Sequence, residues 1–230
     1  MTLFVAPIVE GDTEERCIKV ILSHIWRDLL HSAEVEPLAV LEPIPANRSS
    51  LLKEGHPELG QMVERAFRLL RARMRHNRVD RGFVLLLIDA DEACPAKLGP
   101  ELLRRARATR TDADIACVLA KRELENWFKA AAASLAGVIG LPDDLTVPAN
   151  PEDGSGDTWL TRQMQRKDRT SKYTKPADAI ELAQRMDYQE CRDNAPSFDK
   201  LCRELEARLP EPPGPTDESA PPTAEGEISS

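Results

Sequence analysis

Gly82 to Ile88 forms an unbroken apolar run, GFVLLLI, that ends abruptly in Asp89-Ala90-Asp91-Glu92. Such a run leaves no polar face for water, so a strand built from it must be covered on both sides, as in a parallel sheet held between layers of helices. The sudden acidic end is where such a strand would emerge at its carboxyl end. The chain is therefore expected to be α/β, with this segment as its central strand.

The rest of the chain can be laid out around that strand. Leu3 to Val9 is a short run of strand formers followed by Gly11, which permits a tight turn. Asp12 and Glu15 form a capping-box-like helix start, and Ile18, Ile21, Leu22, Ile25 and Leu29 then recur at helical spacing. Val35 to Ile44, interrupted by Pro37 and Pro43, reads as an edge strand. A polar loop leads to an amphipathic helix with Leu59, Val63, Phe67, Leu70 and Met74 on one face and Arg65, Arg68, Arg71 and Arg75 on the other. A helix around Glu101 to Ala108 and a strand from Asp114 to Leu119 follow. From Thr158 only helical pieces are expected: Thr158 to Arg166, Ala177 to Met186 and Phe198 to Leu209. The alternation predicts a parallel four-stranded sheet of order 2-1-3-4, helices on both faces and a C-terminal helical extension. The expected divisions are 1–135 for the α/β domain, 136–209 for the helical extension packed on it, and 210–230 for a disordered acidic, Pro-rich tail.

Composition agrees with this layout. A chain of 230 residues, 41% hydrophobic, can build one substantial core, and with only 4% aromatics that core rests on Leu, Ile, Val and Ala. Five scattered cysteines, Cys17, Cys94, Cys117, Cys191 and Cys202, show neither zinc-site spacing nor a disulfide framework, so reduced thiols are expected. The opening MTLFVAPIVEG has no basic residue ahead of its apolar run and leads into an acidic turn, unlike a signal peptide. No stretch reaches the roughly 20 apolar residues of a membrane span. A cytoplasmic protein without membrane partners is expected. The net charge of -8 is partly local: the tail holds Glu211, Asp217, Glu218, Glu225 and Glu227 and no Lys or Arg.

In an open parallel sheet, ligands gather beyond the carboxyl ends of the strands where strand order reverses. The expected order puts the first and central strands on either side of that point. Glu10 follows the first strand, Asp89 and Asp91 follow the central one, and Glu14 lies one helical turn away. Crowded carboxylates repel one another and persist ionised where a cation compensates them. With oxygen donors only, and with His24, His31, His56 and His76 unpaired in spacing, Mg²⁺ or Mn²⁺ suits these residues better than zinc. A helix-dipole role for Glu14 and Glu15 and a turn role for Asp89 and Asp91 are the plainer alternatives.

Val9-Glu10-Gly11-Asp12-Thr13-Glu14-Glu15 resembles the first motif of Toprim domains, and Leu87-Ile88-Asp89-Ala90-Asp91 resembles their DxD motif. A second Glu four residues after the first makes the pattern most similar to Toprim nucleases of the OLD type. Ala120 to Phe128 and Ser197-Phe198-Asp199 are also similar to a bacterial domain-of-unknown-function family, number 4276, described as Toprim-like. The resemblance extends to about Leu209. It implies a Toprim-like, Rossmann-like fold and metal-dependent phosphodiester hydrolysis on DNA or RNA. By position, Glu10, Glu14, Asp89 and Asp91 would be metal ligands, with Glu123 or Glu125 supplying a further carboxylate and Lys121 stabilising charge on the phosphate. Glu10, Asp89, Asp91 and Lys121 would then be the catalytic set. OLD-type proteins carry an ATPase, and the GxxxxGK[ST] phosphate loop is missing here, so a separately encoded ATPase partner in a phage-defence or mobile-element setting is the corresponding expectation. A homodimer is compatible with it.

Substrate phosphates would need cations. Arg65 to Arg81 and Arg104 to Arg110 read as solvated helix faces, whereas Arg162, Arg166, Lys167, Arg169, Lys172 and Lys175 crowd together near Tyr173 and are the candidate nucleic-acid contacts. Trp127 and Phe128 read as core anchors. Two other classes compete: a non-catalytic Toprim-like subunit of an ATPase complex, and a receiver-like phosphoacceptor. The second would want an acidic pair after the first strand, where this chain has Glu10 alone before Gly11. A topoisomerase or primase would want a tyrosine domain or a zinc module, and neither is evident.

Overall fold

A computed structural model describes residues 2–30, 38–79 and 81–209. Expectations for His31, for Val35–Pro37 at the start of the edge strand and for the 210–230 tail lie outside the described residues. Strand β1 (Leu3–Val9) leads through Gly11 into α1 (Asp12–His24), which a π-helical turn at Ile25–Leu29 prolongs. Strands β2 (Leu38–Val40) and β3 (Ile44–Pro45) follow, then α2 (Arg48–Leu52) and α3 (Glu58–Asn77). Next come β4 (Gly82–Asp89), α4 (Pro95–Thr109) and β5 (Ile115–Ala120). The chain continues with α5 (Glu125–Ala130), α6 (Gly156–Met164), α7 (Ala177–Arg185), α8 (Tyr188–Asn194) and α9 (Pro196–Glu206).

The sheet is parallel throughout, in the order β2-β1-β4-β5, with β3 also paired to β1. The expected four strands and their order are present, but the edge strand is split. β2 pairs with β1 at Leu3–Val5, and β3 pairs further along at Ile8 and Val9. Pro43 lies between the two pieces and has no amide hydrogen to give the ladder.

Alternate residues of the strands serve two cores. Val5, Val9, Phe83, Leu85, Leu87 and Val118 face one core together with α1 and the C-terminal helices. Phe4, Ile8, Val84, Leu86, Ile88 and Leu119 face the other, which α2, α3 and α4 cover. Every residue from Phe83 to Ile88 is buried, as its apolar run requires. Trp127 and Phe128 are fully buried, and the Trp127 ring meets Phe198 of α9 edge-on at 5.2 Å. The residues beyond 136 thus share a core with the sheet. Among the described residues, no helix is long and apolar enough to cross a membrane.

Candidate acidic site at the strand ends

The register brings the two acidic strand ends to one rim. Val9 lies opposite Leu87, and Asp89 lies opposite Ala120, so Glu10 and Asp89 emerge side by side at the gap between β1 and β4. The Asp89 amide donates to Glu10 Oε2 at 3.3 Å. Asp89 itself is tied to the next strand, its Oδ1 accepting from the Leu124 amide at 3.0 Å. Beyond it the ladder persists: the Ala90 amide donates to the Ala120 carbonyl and the Asp91 amide to the Arg122 carbonyl. Asp91 and Arg122 both take left-handed backbone (φ 49° and 65°), a conformation uncommon outside glycine, Asn and Asp.

Helix α1 starts one residue earlier than the expected Asp12/Glu15 pair. Gly11 is the N-cap in extended backbone, and Glu14 folds back so that its Oε2 accepts from the Gly11 amide at 3.0 Å. A Cβ at residue 11 would lie 2.9 Å from that oxygen, so a larger residue there would require the Glu14 side chain to shift. The contact leaves Glu14 buried within the same electrostatic neighbourhood as Glu10 and Asp89.

Burial drives the proton affinity of Asp89 up, and the surrounding charges of Glu14, Glu125, Glu10 and Glu123 drive it further, to about 9. Burial also raises Glu10, with Asp91 and Glu14 adding to it, while Arg48 and the Asp89 amide pull it back. Glu125 is fully buried and likewise raised by burial, although Lys175 stands 2.8 Å from its Oε1. Its Oε2 has no hydrogen-bond partner.

Two basic side chains enter this acidic rim. Arg48 lies 2.9 Å from Asp91 and 3.8 Å from Glu10. Lys175, expected among the nucleic-acid contacts, reaches Glu125 and lies 3.8–3.9 Å from Asp157 and Glu123. Among the described residues, no three His, Cys, Asp or Glu side chains converge closely enough to hold a metal ion. Arg48 was not legible in the polar loop around it; the one local signal was Asn47, whose side chain caps α2 by accepting from the Ser50 amide.

The remaining expected site residues are dispersed. Glu123 Oε1 accepts from Ser155 Oγ and from the Asp157 amide, tying the end of β5 to the start of α6. Lys121 is turned toward Asp153, with Nζ 2.9 Å from Oδ1, because the 150–155 loop lies beside it. Arg166 pairs with Asp144 and Lys167 with Asp143, so these two are engaged by the loop preceding α6. Arg169 is exposed. Arg162 and Lys172 line a cleft of about 670 Å³ together with Asp157, Thr161, Tyr173 and Lys175, and Lys175 connects that cleft to the acidic rim.

The cationic faces expected to be solvated carry local partners. Arg68 lies beside Glu64, Arg104 beside Glu101, and Arg110 stacks over the Phe67 ring at 4.2 Å. Arg105 donates to the carbonyls of Leu51, Leu52 and Lys53, which end α2.

No curated protein and no solved structure matches the chain. The profile of one family, Domain of unknown function (DUF4276), matches residues 9–206, from the last residue of β1 through the acidic rim to the end of α9. The match extends over most of the chain, which therefore belongs to the DUF4276 family.

Proposed function

We infer that this protein is a Toprim-like, metal-dependent nuclease that hydrolyses phosphodiester bonds of nucleic acid. The observation that carries the reading is the meeting of the two acidic strand ends at one rim, where the Asp89 amide donates to Glu10 and the carboxylates of two other chain segments, Glu10 with Glu14 and Glu123 with Glu125, crowd Asp89 and raise its proton affinity. Carboxylates gathered at a strand rim are an arrangement that a bound cation would offset. The partnerless, buried Glu125 Oε2 supports the same reading, and oxygen donors favour Mg²⁺ or Mn²⁺. Glu10, Glu14, Asp89 and Asp91 would hold the ion, with Glu123 or Glu125 as a further donor. When bound, such an ion lowers the pKa of water and offsets charge on a phosphoryl oxygen. The chain's own part is orientation. The Leu124 amide aims Asp89, and the Asp89 amide aims Glu10. Arg162 and Lys172, in the cleft beside the rim, would bind backbone phosphates.

The placement of Arg48 and Lys175 favours a second reading, in which the rim is permanently neutralised and the protein is a non-catalytic subunit of an ATPase complex. The two readings separate in one assay. Chelator-treated protein is given Mg²⁺ or Mn²⁺ and single-stranded, duplex and RNA substrates, alone and with any ATPase encoded beside it. The nuclease reading expects cutting that E10Q and D89N each reduce at least 100-fold while circular dichroism and melting remain those of a folded protein. Equal cutting by both variants would refute the site, and no cutting under any condition would favour the subunit reading.

A further inference from the structure

We propose that the outer face of α3 is a phosphate-binding surface for nucleic acid, with Arg68, Arg71 and Arg75 of that helix and Arg110 beside it as the contacts. It goes beyond the nuclease reading above: it needs no metal, and it lies across the sheet from the cleft of Arg162 and Lys172. Helix α3 covers the core of Ile8 and Leu86, whereas Leu160 and Met164 of α6 enter the core of Val5 and Leu85.

The helix buries Leu59, Val63, Ala66, Phe67, Leu70 and Met74, which turns the three arginines, at i, i+3 and i+7, outward in one exposed stripe. With Phe67, Arg110 and Asp112 they line a cleft of about 280 Å³. Like charges three or four positions apart repel on a helix, an arrangement that a bound polyanion would offset. The carboxylates at hand do not do so. Glu64 is divided between Arg68 and Arg110, each at 3.4 Å, and Asp112 is held by Arg110 at 2.9 Å. Arg71 and Arg75 have no carboxylate partner among the described residues. The Phe67 ring carries the guanidinium groups of Arg110 and Arg71, at 4.2 and 5.8 Å, and a guanidinium on a ring face keeps its in-plane donors for an acceptor.

Guanidinium forks match phosphate oxygens in pairs. From Arg68 to Arg75 the stripe runs about 10 Å along the helix, a length that spans about three phosphates of one strand. A protein partner would instead be anchored by apolar side chains at the centre of the patch. The exposed large apolar residue of α3, Leu69, lines a different groove beside β2.

Fluorescence anisotropy of labelled duplex and single-stranded oligonucleotides, in chelator and over a series of salt concentrations, tests this. R68Q/R71Q/R75Q is expected to bind about tenfold or more weakly than wild type, with a salt slope shallower by about 2–3. R73Q/R104Q/R185Q, which removes the same charge from other surfaces, should stay within about twofold of wild type. Equal losses in both variants, wild-type affinity in the first, or no binding by wild type would overturn the inference. Binding of polyglutamate in place of oligonucleotides, lost in the first variant, would make the stripe a face for an acidic protein and overturn it too. If the triple variant fails to fold, R71Q decides: about threefold weaker binding supports the surface, and unchanged binding refutes it. Cutting with Mg²⁺ is read separately. Stripe-dependent binding without cutting leaves this inference standing and the nuclease reading fallen, and cutting that the stripe variant retains with wild-type binding does the reverse.

Discussion

Asp89 holds its proton to about 9 because burial and four neighbouring carboxylates penalise its charge. In the unfolded chain the same group ionises near its ordinary value of about 4. Between those limits the folded state carries a proton that the unfolded state has lost, so its stability falls as pH rises. Asp89 therefore contributes no penalty below about pH 4, and its penalty grows until about pH 9, where both states are ionised. In chelator, urea melts from pH 5 to 9 are expected to lose stability with rising pH, and D89N, which stays neutral, should flatten that loss. A wild type whose stability rises over this range would show the carboxylates to be compensated already. Glu10 and Asp89 were legible as a pair because each follows an apolar run, a local signal that also fixes which end of the strand it occupies. Arg48 was not, because two of its acceptors are backbone carbonyls 41 and 42 positions away, and nothing in its own neighbourhood points to them. Lys175 was legible as a cation but not in its direction, since it lies in a turn and its partner Glu125 is on α5, 50 positions earlier.

The helices around the rim show what short elements need in order to be seen. Long segments such as α3 repeat their apolar spacing often enough to declare a face. The seven residues of α8 do not, and its start is marked only by Asp187, whose side chain accepts from the amides of Gln189 and Glu190. Helix α6 was foreseen, but the reason for its first residue was not. Gly156 packs against the backbone of α5, and a Cβ there would lie 2.6 Å from the Glu125 carbonyl carbon and 2.8 Å from the Asn126 nitrogen. Backbone cannot step aside as a side chain can. G156A is expected to cost about 1–3 kcal/mol, lowering the melting point by about 2–4 °C per kcal/mol. It should also displace Glu125, so a Mn²⁺ affinity measured on the same variant should fall. A melting point unchanged from wild type would show that α5 and α6 can separate freely.

At the scale of the molecule, the helices beyond the division expected at residue 135 share a core with the sheet. Leu160, Leu182, Phe198, Leu201 and Leu205, all beyond it, are buried in the same core as Val5, Phe83, Leu85 and Val118 of the sheet. Helix α9 packs on β5, and the residues after it clasp the start of the sheet: Arg208 pairs with Asp114, lies 4.3 Å over the Phe83 ring, and offers its carbonyl to Arg81 at 2.6 Å. The sequence showed the helices but could not show this closure, because an amphipathic helix declares which side it buries and not what it is buried against. The energetic consequence can be weighed. Burying one large apolar side chain contributes about 1.5–3 kcal/mol, while a whole domain is stable by only about 5–15 kcal/mol. Removing the five side chains above, with the partners they cover on Trp127 and Phe128, forfeits an amount of the same size as the total. A fragment of residues 1–135 is therefore expected to lack a cooperative thermal transition and to bind a hydrophobic dye, whereas the full chain should melt in a single step seen alike by far-ultraviolet circular dichroism and tryptophan fluorescence. Two separated transitions in the full chain, or a fragment that melts cooperatively with dispersed amide resonances, would show that the strand rim is held by the first 135 residues alone, and that the C-terminal helices serve the site only through Lys175 and the cleft beside it.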